Sequence, residues 1–450
     1  MGPSRAAESA ETLGTAPVGR LLWTMSLQTT ASVGLYGVYA LTNAWFVAWG
    51  VGETALAAVN LAAPLLLIIG AVSTTVGVGG ASLVSRALGA GRPDRAAAAA
   101  GNAIALFWLV AICSTVVGLL ALDPLLIALG ATGETLGYAR SYGAIILAGA
   151  IFATGFSAIV RAEGRLAYSM LLWIVPLVVQ ILLDPLLIFV FHLGTAGAAL
   201  GTVAGQAVSA ALAFRFFFLM RDRPYRVGLP HLRLRLRTVS EVVGIGAPSF
   251  LAGFGATLLT ALINQRLALV GAVALAAFAV VSRVQTFVMT PQIGLTQAAQ
   301  PIIGFNVGRS DGARVTRTLR LSIGASLGYG TLIAAAVFLA AGPLAGAFLA
   351  PGPAHAQAVA ALRVVAVGFL VAGIAPLVSG YLQALGQARG SYLISLGSIL
   401  LVKVPLVLAL TGVAPMGIWL ALPAGEVGSC LLAVGLLAWR RRQARSSPKP

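Results

Sequence analysis

Apolar residues along this chain come in runs too long for a half-buried surface helix. Residues 55–84 and 324–342 contain no Asp, Glu, Lys or Arg. About 20 apolar residues are enough to cross the hydrocarbon core as an α-helix. Spanning β-strands would alternate apolar and polar positions over segments of about ten residues, and these runs do not alternate. Basic, Pro-rich or Gly-rich positions break the runs. They predict twelve helices, near residues 21–48, 55–85, 96–120, 136–160, 167–190, 196–220, 239–265, 272–304, 316–341, 357–384, 391–411 and 416–439. The expected fold class is all-α, a polytopic membrane protein with twelve transmembrane helices.

Composition agrees with a lipid solvent. The chain is 59% hydrophobic and 9% charged, with mean hydropathy +0.96, whereas soluble domains run near a quarter charged. The net charge of +17 and pI of about 11.2 suggest nucleic acid until the charges are located. Almost all of the 29 Lys and Arg lie in the two tails and the even-numbered connections: Arg5 and Arg20; Arg86, Arg92 and Arg95; Arg161 and Arg165; seven Arg from Arg215 to Arg237; Arg309, Arg314, Arg317 and Arg320; Arg389; then Arg440, Arg441, Arg442, Arg445 and Lys449. That asymmetry is the positive-inside pattern. It predicts a multi-pass plasma-membrane protein with both termini cytoplasmic, the lipid bilayer as partner and no nucleic acid. Cys113 and Cys430 lie inside apolar runs and support no disulfide framework. The first 20 residues are polar and do not read as a secretory signal.

An internal repeat organises the chain. Val51-Gly52 with Ala55-Leu56-Ala57-Ala58 recurs as Val270-Gly271 with Ala274-Leu275-Ala276-Ala277; the same offset places Gly89 on Gly308 and Arg95 on Arg314. A slightly larger offset places Ser157, Ala162 and Gly164 on Ser379, Ala384 and Gly386. Six helices separate the copies, an even number, so the repeats are parallel, an arrangement transporters use with the substrate site between the halves. The expected domains are a cytoplasmic tail (1–20), an N-terminal six-helix lobe (21–220), a basic linker (221–238), a C-terminal six-helix lobe (239–439) and a second tail (440–450). The linker reads as solvated, with residues 233–237 as a possible contact for anionic lipid.

Enzymatic chemistry finds no footing. Neither Lys403 nor Lys449 follows the glycine spacing of a P-loop. His192, His231 and His355 have no metal spacing. Gly324-Ala325-Ser326-Leu327-Gly328 spells a nucleophile elbow but sits in a charge-free helical run. No catalytic residue, cofactor or metal is expected.

An ordered series of motifs does stand out: Ser85-Arg86-Ala87-Leu88-Gly89, Arg161-Ala162-Glu163-Gly164, Leu183-Asp184-Pro185, Gly197-Ala198-Ala199-Leu200-Gly201-Thr202, Gln300-Pro301-Ile302-Ile303-Gly304-Phe305-Asn306-Val307-Gly308, Gln383-Ala384-Leu385-Gly386 and Gly417-Ile418-Trp419. It resembles the MATE (multidrug and toxic compound extrusion) family over residues 21–439. The resemblance implies two six-helix bundles rocking around a central cavity. It also implies a secondary antiporter that exports small organic molecules or drugs against a proton or sodium gradient, and a monomer is expected. The alternative is a flippase for lipids or lipid-linked precursors from the related superfamily. The family's first-lobe cation site maps onto Asp184 and Thr202, with Asn43 where an acid on the first helix is expected and Gln180 where an Asn on the fifth is expected.

Ionisable residues inside a span are expensive and mark functional candidates. Arg283 and Lys403 fall near mid-span, with Glu426 a possible partner for Lys403. Asn264, Gln265, Gln297 and Gln300 are the further candidates for the cavity or substrate. Glu163 is expected to pair with Arg161 and Arg165 in its own turn.

Overall fold

In hydrocarbon every backbone N–H and C=O must bond within the protein. Long apolar runs meet that demand by coiling into helices. The fold, a computed structural model, describes residues 5–153 and 155–446; Lys449 lies outside them. In chain order the helices are α1 (Arg5–Thr15), α2 (Val18–Gly50), α3 (Glu53–Gly89), α4 (Pro93–Leu120), α5 (Leu122–Ala128), α6 (Gly133–Ala148), α7 (Ser157–Ala162), α8 (Leu166–Pro185), α9 (Gly194–Phe214), α10 (Leu236–Ala268), α11 (Ala272–Gly308), α12 (Gly312–Leu339), α13 (Ala341–Gly346), α14 (Pro353–Phe369), α15 (Ile374–Ala384), α16 (Ala388–Gly397), α17 (Val404–Val413) and α18 (Ile418–Ser446). Eleven helical stretches among the described residues are long and apolar enough to cross a membrane. The other expected span, α2, is a 33-residue helix whose only charged residue is Arg20. The chain is an all-α polytopic membrane protein.

The repeat is visible in the backbone. Left-handed conformations recur at matched positions: Gly52 (φ 120°) and Gly271 (φ 131°), Gly91 (φ 65°) and Ser310 (φ 61°), Gly164 (φ 77°) and Gly386 (φ 75°). Two spans read as continuous in the sequence are interrupted at corresponding places, between α6 and α7 and between α14 and α15. At the first break Ala153 leaves the helical ladder, and the Ser73 hydroxyl donates to its carbonyl. A freed backbone group is re-satisfied by a neighbouring side chain, which is what permits such breaks at membrane depth.

Two compact units form. One comprises Met1–Ala16, Ala31–Ala247 and Gly304–Asp311; the other comprises Pro17–Thr30, Pro248–Ile303 and Gly312–Pro450. The first has a core of Val47, Ala58, Leu126, Ala139, Ala198 and Ala199, all fully or almost fully buried. Its basic end is drawn together by glycines. A Cβ on Gly89 would lie 1.8 Å from the Phe305 carbonyl oxygen, and one on Gly308 would lie 2.0 Å from that of Arg86. Small residues of this kind let helix backbones touch. The expected N-terminal tail also contributes: Leu13 of α1 is fully buried, and Asn306 Nδ2 donates to its carbonyl at 2.9 Å. The second unit packs Ile263, Leu267, Phe278, Val281, Leu362 and Trp419 into its core.

The linker departs from the sequence reading. It is not simply solvated, because Arg223, Tyr225 and Val227 are buried. Glu163 does not pair with Arg161 or Arg165. Its carboxylate accepts both arms of the Arg223 guanidinium, with Nε at 3.2 Å from Oε2, and the Tyr225 hydroxyl donates to Oε1. Arg223 also donates to the Phe217 carbonyl at 3.0 Å and stacks on Phe216, Phe217 and Tyr225 at 4.5–4.7 Å. Arg165 pairs with Asp222 at 2.8 Å instead. The physical reason is geometric: a planar guanidinium grips a carboxylate with two parallel bonds, and the chain leaving α9 brings one over Glu163. Burial, reinforced by the Glu163 charge, holds the Tyr225 hydroxyl well above its usual pKa, so it stays a proton donor.

Candidate functional site

Four polar side chains meet inside the first unit. Gln180 and Asp184 lie one turn apart on the same face of α8, as positions i and i+4 must. Pro185 follows, supplying no N–H, and the helix widens into a π turn over Leu186–Val190. Thr202 faces them from α9 and Asn43 from α2. Gln180 and Asp184 are fully buried, Thr202 and Asn43 nearly so.

Gln180 Nε2 donates to Asp184 Oδ2 at 3.0 Å. Asn43 Nδ2 lies 3.4 Å from each of Asp184 Oδ2, Thr202 Oγ1 and the Ala198 carbonyl. An amide nitrogen has two hydrogens, so it cannot bond all three acceptors at once. Asp184 Oδ1 and Gln180 Oε1 have no hydrogen-bond partner among the described residues. The cluster thus holds one carboxyl group, faced by neutral donors and acceptors. The four residues mapped from the family resemblance come together.

The sequence motif contained a further member whose role was not evident. A Cβ on Gly201 would lie 2.0 Å from Asp184 Oδ1, so the carboxylate occupies space that only glycine leaves. Gly197 and Gly205, one turn to either side, likewise bring α9 against Leu187 and Pro176. The spacing of these three small residues was the available signal.

The candidates of the second half are dispersed. Lys403 Nζ is 2.7 Å from Glu426 Oε1, with side chains 23% and 13% exposed. Lys403 is therefore one half of an ion pair rather than a free cation. Arg283 is exposed and lies 5.5 Å from the centre of the Phe348 ring, in the connection between α13 and α14. Its guanidinium reaches toward that connection. Gln300 Nε2 donates to Gln383 Oε1 at 2.8 Å, and Gln383 in turn bonds Ser249; this network ties α11, α15 and α10 together. Gln292, on the same helix as Gln297 and Gln300, bonds Ser326 in both directions. Gln297 is half-buried, whereas Asn264 and Gln265 are exposed four and three residues from the end of α10. Among the described residues no cluster of three or more His, Cys, Asp or Glu forms a metal site.

Known proteins resemble this chain over most of its length. A multidrug export protein MepA from Staphylococcus saprophyticus is 27% identical over 413 residues, covering 90% of each chain. The MepA of Staphylococcus aureus is 28% identical over 436 residues, covering 95% of this chain and 94% of its own. Among solved structures, a MATE in the bent conformation superposes with a TM-score of 0.90 at 21% identity, covering 98% of both chains. A MOP superfamily transporter from Pyrococcus furiosus superposes with a TM-score of 0.89 at 21% identity over the whole of both. The MatE family profile matches residues 29–186 and 248–408, one block in each half, and the chain belongs to the MATE family of membrane transporters.

Proposed function

We propose that the protein is a secondary antiporter that exports small organic molecules of several kinds, with Asp184 carrying the coupling proton. The observation that carries this reading is the buried group of Asn43, Gln180, Asp184 and Thr202 around a single carboxyl. Asn43 cannot titrate, so within this group only Asp184 can change charge. A carboxylate sealed from water inside a span is costly, and taking up a proton removes its charge. Neutral amides and a hydroxyl can serve it in either form, donating to the carboxylate and accepting from the acid. The breadth of substrate follows from kinship with multidrug export proteins. The protein sits in the plasma membrane as a monomer with both termini cytoplasmic. The two halves rock to expose a central cavity to either side in turn.

The test uses proteoliposomes loaded with ethidium, under an imposed proton or sodium gradient. Efflux driven by the proton gradient and lost in Asp184→Asn supports the proposal. Efflux driven only by sodium replaces the proton as coupling ion. Unchanged proton-driven efflux in Asp184→Asn moves coupling away from this cluster, with Lys403 and Glu426 next in line.

A further inference from the structure

We propose that the linker at residues 228–237, with the groove beside it, binds the phosphate of an anionic phospholipid in the leaflet at the basic end of the bundle. The linker is pinned to a membrane helix. Asn102 of α4 donates to the His231 carbonyl at 3.1 Å and accepts from the Arg235 N–H at 2.7 Å. At the preceding residue a Cβ on Gly101 would lie 2.5 Å from the His231 carbonyl oxygen, so the linker backbone lies directly on the helix. Asn102 is nine residues past Pro93, the first residue of α4, or about 13 Å along it. The charged residues Asp94 and Arg95 lie in the first turn of α4 and its apolar run follows, so the linker crosses α4 where that helix turns from charged to apolar, the kind of position at which headgroups meet acyl chains.

Its side chains suit that layer. Leu229, Leu234 and Leu236 are 81%, 43% and 90% exposed. Arg233, Arg235 and Arg237 are interleaved with the last two and are exposed as well. Leucines so bare are unfavourable in water and favourable in acyl chains. Guanidinium groups beside them match the phosphate oxygens as paired donors. Beside the linker lies a groove of about 420 Å³ lined by Arg95, Arg235, Arg237, Asp94 and Glu241. Glu241 is shared between Arg95 at 3.5 Å and Arg237 at 3.6 Å. Arg233 and Arg235 have no ion-pair partner among the described residues. Net positive charge thus remains for a ligand. A free phosphate would gain nothing from the leucines, which is why the lipid is the occupant.

The experiment measures phosphatidylglycerol retained by the full chain, purified in detergent, by native mass spectrometry, with phosphatidylcholine as the neutral reference. Replacing Arg233, Arg235 and Arg237 together by Gln should lower retained phosphatidylglycerol by about tenfold or more and leave phosphatidylcholine unchanged. Replacing Leu234 and Leu236 by Ser, surface changes that spare the fold, should lower it several-fold with every charge intact. The control replaces Arg317, Arg320 and Arg389 by Gln, removing equal charge from exposed positions of other basic connections, and should retain wild-type binding. Equal loss in the control overturns the site in favour of diffuse attraction. Displacement of the lipid by glycerol phosphate, or no effect of the leucine changes, overturns the lipid in favour of a soluble phosphate.

Discussion

Arg223→Ala should be among the most destabilising single changes in this chain. The guanidinium is 1% exposed and its partner Glu163 is 0% exposed. Removing it strips the carboxylate of both charge-assisted bonds and leaves only the Tyr225 hydroxyl. Breaking one side of a buried ion pair costs about 3–5 kcal/mol. The lost contacts with Phe216, Phe217 and Tyr225 overlap with that figure, each ring being worth about 0.5–2 kcal/mol. A total near 4 kcal/mol is expected. The double variant Glu163→Leu with Arg223→Met takes away both charges at similar volume, and such replacements are close to neutral. It should therefore recover most of the stability. Thermal unfolding of the purified protein, followed by tryptophan fluorescence, orders the variants: wild type and double variant high, each single variant several degrees lower. If Arg223→Ala melts with wild type, or the double variant melts with the singles, the pair does not hold the linker as described.

Gly201→Ala should push the Asp184 carboxylate from its place and cut gradient-driven ethidium efflux at least as severely as a conservative change at Thr202; efflux equal to wild type would show that the carboxylate has room to move. Lys403→Met should destabilise by leaving Glu426 alone within a span, and adding Glu426→Leu should restore the melting temperature. The Tyr225 hydroxyl keeps its proton in the folded chain above the usual tyrosine value of about 10. The unfolded chain loses it there, so folding stability falls as pH rises past that point. Tyr225→Phe should melt lower at neutral pH yet lose less on going to about pH 11, as read from melting temperatures across that range. For orientation, single cysteines in a Cys-free background at Val413 and Arg92 should be labelled from opposite sides of the membrane.

Spans and repeat were legible because both are written in short-range patterns. Charge-free runs mark helices, and the matched glycines of the two halves keep the same left-handed backbone. The cluster at Asp184 was legible through family motifs, since Asn43 lies more than a hundred residues from Asp184 and nothing local joins them. What escaped was contact between distant segments. Glu163 has two arginines within two residues of it, yet it takes one 60 residues away, because only Arg223 arrives with its fork aligned and its faces covered by rings. The helix breaks beside Ala153 and Phe369 escaped too: no proline marks the first, where a hydroxyl from another helix meets the freed carbonyl, and Pro376 after the second sits in the first turn of α15, where a helix tolerates it without showing that one has just begun. Polar residues on α10 and α11 could not be sorted by type: Gln292 and Gln300 bond neighbouring helices, while Asn264 and Gln265 are exposed near a helix end.

The mutual approach of Gly89 and Gly308 has the form of an isologous contact, in which residue i of one copy meets residue j of the other and j meets i. Phe305 stands to Gly89 as Arg86 stands to Gly308, at the spacing of the repeat. A single six-helix ancestor meeting a second copy of itself would make this joint twice over. Fusion into one chain frees the copies to differ everywhere else. Asp184 falls on Leu406 at the later repeat spacing, so one half has a carboxyl where the other has an apolar side chain. The joint stays symmetric because backbone touches backbone there. A change at either glycine alone would disrupt a contact to which both repeats contribute matched residues.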